Sequence, residues 1–426
     1  MRQWRKSFAL RAFATVVLGA LLGSAAPVKG QEPCRDRSEW TIPGIVRDMV
    51  TQTGGAEGWK ISKAQVSTIV SQANKLADII LALDYLRNPV GMQVGYYRAI
   101  GTPGPAFRGG PGSLEGQPFP LHVEAMIFSF WCINGKVGRR WTDADMGVSI
   151  DVNTMFNILD NTTAVIDGKR LYMLKFDLGT FRGHKLFMPY TNQPRDETHY
   201  QRSVLIARPD KLPYTHITRR QLLDYMEAEM EKAAPIEAAR AASTGQVRPK
   251  EEQEAGIKKR IEEIKSYNIG EAAKKARIDR VLADFKTDEQ LRDEAVARSK
   301  AEFDAMRKRL KELRSKYSEA QLQEPAVVPA QTGVYYNHLT DASWDFADPK
   351  IDLNDDCYPR CKFGQYVVTP NEDYFDKSLP RTSFQYFVVT LSAPGDPAKM
   401  SPSQLRIRKE TLESLDFGAL EAMLRK

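Results

Sequence analysis

Between Glu251 and Leu322 the chain carries 18 Lys/Arg and 16 Asp/Glu, so 34 of 72 residues are charged. A stretch this polar cannot make a core of its own, and its balanced signs favour a solvated helical surface over a basic arm. Its few apolar residues fall at helical spacing. Ile257, Ile261 and Ile264 form one stripe, and Ile278, Val281, Leu282 and Phe285 a second. Phe303, Met306, Leu310, Leu313 and Tyr317 alternate by three and four, a short heptad seam. Thr287-Asp288-Glu289-Gln290 is a capping box, so one helix ends and another begins there. Narrow stripes need partners. The expectation is an antiparallel helical hairpin turning near Thr287, with the Phe303–Leu313 seam buried against Ile257, Ile261, Val281 and Phe285.

Residues 1–30 carry the features of an export signal. Arg2, Arg5, Lys6 and Arg11 precede the apolar run Phe13–Leu22, and small residues Gly23–Ala26 follow. The run is shorter than the roughly 20 residues of a membrane-spanning helix. Cleavage is expected to leave a chain that starts between Pro27 and Gln31, with no transmembrane segment. It also changes the charge. The whole chain is +7, but the first 30 residues hold five basic residues and no acids, which leaves 56 basic against 54 acidic. Phosphate binding needs a concentrated excess of Lys and Arg, so nucleic acid is not an expected partner. The expected location is secreted or periplasmic. There the even set Cys34, Cys132, Cys357 and Cys361 points to disulfides. Three pairings are open, because sequence does not fix connectivity.

The flanks alternate helical and strand signals. Ile69, Ala73, Leu76, Ile80 and Leu83 place one apolar face on a helix over 61–87, with Ser62 as N-cap and Asn88-Pro89 as its stop. Segments 122–133, 146–152, 203–207, 365–369 and 383–391 are strand candidates. Asn134-Gly135 and Asp167-Gly168 are hairpin turns. A capping box at Thr218–Gln221 opens a helix that Pro235 should stop, and a last helix is expected over 410–424. The predicted class is α+β. An antiparallel β-rich body has an N-terminal packing helix, and the long charged helical hairpin is inserted between two β-containing portions. By residue, 1–30 is the signal, 31–234 an α+β domain, 235–250 a linker, 251–322 the hairpin, 323–332 a second linker and 333–426 a β-containing segment ending in a helix.

Chemistry-bearing groups are sparse. Gly101–Pro120 holds six glycines and five prolines, a loop that lacks the Lys-Ser/Thr of a phosphate-binding turn. Asp196, Glu197 and His199 gather two carboxylates and an imidazole and are the candidate acid–base residues. His122 and Glu124 share one strand face, but the Pro-Cys-x-x-Cys partner of a zinc deaminase is missing, and a plain strand face at a sheet edge is the expected setting. Asp352, Asn354 and Asp356 are candidate metal ligands, although Cys357 and Phe363 stand where a calcium loop needs Gly and Glu. His-Glu-x-x-His, Gly-x-Ser-x-Gly and Ser-x-x-Lys do not occur. No cofactor is expected. The expectation is an exported, non-catalytic binding protein of the cell envelope that meets another protein through its helical segment. The alternative is an envelope hydrolase with an acid–base site near the Gly/Pro-rich loop.

Overall fold

The computed structural model describes residues 37–49, 51–52, 60–100, 117–160, 164–166, 169–188, 200–243, 247–329, 334–349 and 364–424. Strands in chain order are β1 (Val46–Asp48), β2 (Met92–Ile100), β3 (Leu121–Ser129), β4 (Trp131–Ile133), β5 (Lys136–Gly138), β6 (Met146–Val152), β7 (Leu159–Asp160), β8 (Val165–Ile166), β9 (Lys169–Arg170), β10 (Tyr172–Leu174), β11 (Phe176–Phe181), β12 (His184–Met188), β13 (Tyr200–Ile206), β14 (Tyr214–His216), β15 (Val327–Pro329), β16 (Gly364–Pro370) and β17 (Phe387–Ala393). Helices are α1 (Lys63–Leu81), α2 (Asp84–Arg87), α3 (Arg219–Ser243), α4 (Lys250–Ser266), α5 (Glu271–Ala283), α6 (Asp288–Lys316), α7 (Glu319–Leu322), α8 (Pro402–Ser414) and α9 (Phe417–Met423).

The protein is α+β, built on an eight-stranded sheet in the order β1-β2-β3-β6-β17-β13-β12-β11. Every pairing in it is antiparallel except β1 with β2. Alternation sets its two faces. Leu121, Val123, Ala125 and Ile127 of β3 are buried, as are Val148, Ile150 and Val152 of β6 and Phe387, Val389 and Leu391 of β17. They share the main core with Ile69, Ala73, Leu76 and Ile80 of α1 and Ile407 of α8. Ser62 caps α1 in a full capping box with Gln65. The intervening residues, His122, Glu124, Ser149, Asp151, Thr390 and Ser203, lie on the opposite face.

A smaller sheet, β14-β16-β10-β7 with β15 also on β16, separates two cores. Alternation again explains the division. Tyr172, Leu174 and Val368 join the main core, while Leu171, Met173 and Val367 join a second core. That second core is closed by Leu222, Leu223, Met226 and Met230 of α3 and Phe303, Met306, Leu310 and Leu313 of α6.

The charged segment is helical and breaks at Thr287, whose capping box with Gln290 is formed. Its seam packs differently from the expectation. Phe303, Met306, Leu310 and Leu313 meet α3 and the small sheet, not Ile257, Ile261, Val281 and Phe285. Arg307 pairs with Glu231 at 2.7 Å and Arg314 with Asp224 at 2.6 Å, so α6 runs antiparallel to α3. The physical reason is apolar area: α3 presents four large side chains beside a ready sheet face, whereas the α4 and α5 stripes are thin. Pro235 does not stop α3, which continues to Ser243, so the expected linker there is half helix. Pro235 lies beyond Met230, the last buried residue of α3, and the Glu231 carbonyl it displaces is on the exposed part of the helix. The second expected linker contributes β15, paired with β16. The strand expected over 122–133 divides at Phe130 into β3 and the β4–β5 hairpin, and the last helix divides at Leu415 into α8 and α9.

Candidate functional site

The polar face of the large sheet gathers four ionisable groups from three neighbouring strands. In register, Tyr97 of β2 lies opposite Glu124 of β3, His122 of β3 opposite Asp151 of β6, and Glu124 opposite Ser149. Directly opposed residues point the same way, so Tyr97, His122, Glu124 and Asp151 share one surface. The Nδ1 of His122 is 2.7 Å from an Asp151 carboxylate oxygen and its Nε2 is 3.3 Å from Glu124. The Tyr97 and His122 ring centroids are 5.4 Å apart. Gly147 of β6 leaves room for this arrangement, because a Cβ there would sit 2.4 Å from the Glu124 carboxylate. A 3-10 turn at Phe156–Ile158 folds over the cluster. In it, Asn157 donates from its side chain to Asp151, and its carbonyl accepts from the Ser203 hydroxyl at 3.1 Å. Ser203 and Thr390 share a hydrogen bond at 3.0 Å, which carries the polar row on to β17 and β13.

The side chain of Asp151 is 3 % exposed, that of His122 19 % and that of Glu124 26 %. Burial alone would pull the His122 imidazole down. Asp151, by charge and hydrogen bond, and then Glu124 outweigh it and push the group up from 6.5 to about 10. Burial, then Glu124 and Asp151, push the Tyr97 phenol up from 10.0 to about 12. At neutral pH the cluster is therefore an imidazolium between two carboxylates, beside a neutral phenol. Both ring nitrogens are occupied. A general base needs a free nitrogen and a pKa near the working pH, and this imidazole offers neither.

The expected strand face at a sheet edge is thus corrected. β3 is an interior strand between β2 and β6, and the pair His122–Glu124 is completed by Asp151 from the neighbouring strand. Asp196, Glu197 and His199, the Gly/Pro-rich loop as far as Gly116, the candidate ligands Asp352, Asn354 and Asp356, and Cys34, Cys357 and Cys361 lie outside the described residues. Their anchors are described. The 101–120 connection leaves the sheet where Ile100, Leu121, Val152, Phe387 and Ile206 align. The 189–199 connection joins Met188 to Tyr200, and Tyr200 pairs with Ala393 at the other end. Six residue steps of β13 separate those ends, about 20 Å at strand rise.

The other histidines stand apart. His184 is 3.0 Å from Glu421 on α9. The His216 ring packs between Tyr214 and Tyr366, and burial lowers its pKa. His338 lies in a 3-10 turn, also lowered by burial. Among the described residues no cluster of three or more His, Cys, Asp or Glu is placed to hold a metal, and no helix is long and apolar enough to cross a membrane.

A second surface feature is apolar. Of the twelve most exposed large apolar side chains among the described residues, six lie between Ile236 and Leu291. Leu282 is 54 % exposed and Leu291 51 %, with Tyr267 and Phe285 also open. α5 buries no residue and α4 buries only Gln253 and Ile264. Of these exposed side chains only Leu282 and Phe285 belong to the stripes that sequence periodicity locates; Ile257, Ile261, Ile278 and Val281 are half-buried and Ile264 is buried. No known protein family, characterised protein or solved structure matches the chain.

Proposed function

We propose that this chain is an exported, non-catalytic protein-interaction protein whose working surface is the α4–α5 arm. The observation that carries the reading is the arm itself: two helices with almost nothing buried against the body and with Leu282 and Phe285 open to solvent. Large apolar side chains clustered on one exposed feature mark a contact surface. The near balance of Lys/Arg and Asp/Glu along the segment suits a protein partner better than a polyanion. The hydrolase alternative is less favoured. The two connections that would form its site are anchored at opposite ends of the sheet.

A photo-reactive residue placed at Leu282 or Phe285 tests this in the exporting cell. Discrete protein adducts are expected at both positions and not at Lys259, an exposed charged position on α4. Equal labelling at all three, or none at any, would overturn the reading.

Export and disulfide formation belong to the same proposal. Cys132 is on β4, and its possible partners lie outside the described residues. Intact-mass measurement without reductant on protein recovered from its compartment should give a chain starting between Pro27 and Gln31 with four hydrogens lost. A chain starting at Met1, or four free thiols, counts against it.

A further inference from the structure

Two arginines meet where the paired strands β13 and β17 run out beside α8. Tyr200 of β13 is opposite Ala393 of β17, and Arg202 is opposite Leu391. Alternation puts Tyr200 and Arg202 on the face that carries Val204 into the main core, where Ile407 of α8 also packs. Arg408 follows Ile407 and reaches the same place from the helix. Its guanidinium donates to the carbonyls of Pro394 and Gly395, just past β17, at 3.3 and 2.5 Å. The Cζ of Arg408 is 4.3 Å from the centroid of the Tyr200 ring, and the Cζ of Arg202 is 4.6 Å from it. One phenol ring therefore packs two guanidinium groups.

Charges drawn out of water are normally paired with an opposite charge. These two are not. Both arginines are half-buried, and neither forms an ion pair among the described residues. Asp396 senses Arg408, but its carboxylate is already engaged by Lys399 at 3.0 Å and by the Ala398 N–H. Burial lowers the Arg202 pKa from its ordinary value, Tyr200 offsets part of that, and the charge of Arg408 lowers it further. A second observation is that donors remain open. Arg202 gives one nitrogen to the Gln201 carbonyl at 2.8 Å, and Arg408 uses the same nitrogen, Nη1, for both of its carbonyls. The Nε and Nη2 of each guanidinium make no hydrogen bond among the described residues, and none of these four nitrogens is sealed from solvent. An anion can reach them.

We propose that Arg202 and Arg408 bind a phosphate group, whose oxygens accept from the Nε and Nη2 of both, with Tyr200 as the platform that holds the two guanidinium planes. The planar fork of arginine fits phosphate oxygens in pairs. Two positive charges suit a group that approaches a dianion at neutral pH, as phosphate does and a carboxylate does not. The site is separate from the α4–α5 arm and does not depend on the role given to it.

The test uses the full chain, with inorganic phosphate and glycerol 1-phosphate as probes and acetate as the monoanion control. Titration calorimetry and phosphorus NMR are read at pH 7 and constant ionic strength. Saturable binding of phosphate is expected, with acetate at least about ten-fold weaker. A tighter glycerol 1-phosphate identifies a phosphate carried on a larger molecule, and a weaker one identifies the free ion. Arg202→Gln should weaken binding by about ten-fold or more. Arg408→Lys keeps the charge but loses the fork, and should weaken it several-fold. Arg406→Gln on the same helix removes an exposed cation paired with Glu410 at 2.8 Å and should leave binding intact. Arg202→Gln gives up only the bond to the Gln201 carbonyl and relieves the repulsion from Arg408. Its melting temperature without phosphate should be unchanged or raised, which separates a binding defect from a folding one. No saturable binding of either phosphate, acetate as tight as phosphate, full affinity in Arg202→Gln, or an equal loss in Arg406→Gln would each overturn the proposal.

Discussion

Replacing Asp151 by Ala is expected to remove about 3–5 kcal/mol of stability, among the largest effects of any single side-chain change in the β body. Asp151 is nearly fully buried and accepts from both His122 and Asn157. Its loss leaves the His122 cation with only the partly exposed Glu124 and leaves the Asn157 amide without its acceptor. The same cluster predicts a pH dependence. The folded His122 pKa is about 10 and its ordinary value 6.5, so protonated His122 is favoured by folding. That contribution is complete below about pH 6.5 and is lost as pH rises through about 10. Urea midpoints of the wild-type protein should therefore fall between pH 7 and 10. In His122→Gln the group is gone, and the fall over that window should be much smaller. His216 and His338 are lowered by burial and titrate below this window, so they do not imitate the effect. Parallel pH profiles for wild type and His122→Gln would mean that the imidazole is not held as a cation.

What sequence could and could not reveal follows from the range of each interaction. Helix starts are local. Ser62, Thr218 and Thr287 each sit three residues before a Gln, and each forms its reciprocal cap. Strand alternation is also local: β3, β6 and β16 lie where hydrophobic period and turn residues place them, while β13 and β17 overlap their expected segments with ends shifted by up to four residues. Register between strands is not local. His122 and Glu124 were visible as a same-face pair, but Asp151 is 29 residues away and reaches them only through the β3–β6 ladder. A signal was available: Ser149 and Asp151 alternate with Val148, Ile150 and Val152, so a second strand carries polar groups at period two. Two such strands imply a shared polar face. The helical seam failed for the opposite reason. Nearness along the chain favours the α4 and α5 stripes as its partner, while Leu222, Leu223, Met226 and Met230 of α3 form a denser stripe farther away.

That difference yields opposite outcomes for two excisions within the charged segment. Residues 255–286, most of α4 and all of α5, can be replaced by a short Gly-Ser link with little loss of stability, because Ile264 is the only buried residue among them. The ends of the cut already meet. The Arg248 N–H is 3.1 Å from the Asp288 carboxylate, and the Gln253 side chain accepts from the Asp288 N–H at 2.8 Å. Removing 251–322 instead takes away α6, with Phe303, Met306, Leu310 and Leu313. Each such buried side chain is worth about 1.5–3 kcal/mol, so the four together approach the 5–15 kcal/mol that holds a domain folded. Their loss also uncovers Met226 and Met230 of α3 and Met173 and Val367 of the small sheet. The short excision should keep a cooperative melt and the near-UV spectrum of the intact protein, and the long one should lose both. A cooperatively folded product from the long excision would show that α6 is a free arm and not the layer that closes the second core. Unfolding in the short excision would place structural weight on α4 and α5, and with it remove the argument that their apolar side chains are exposed for a partner.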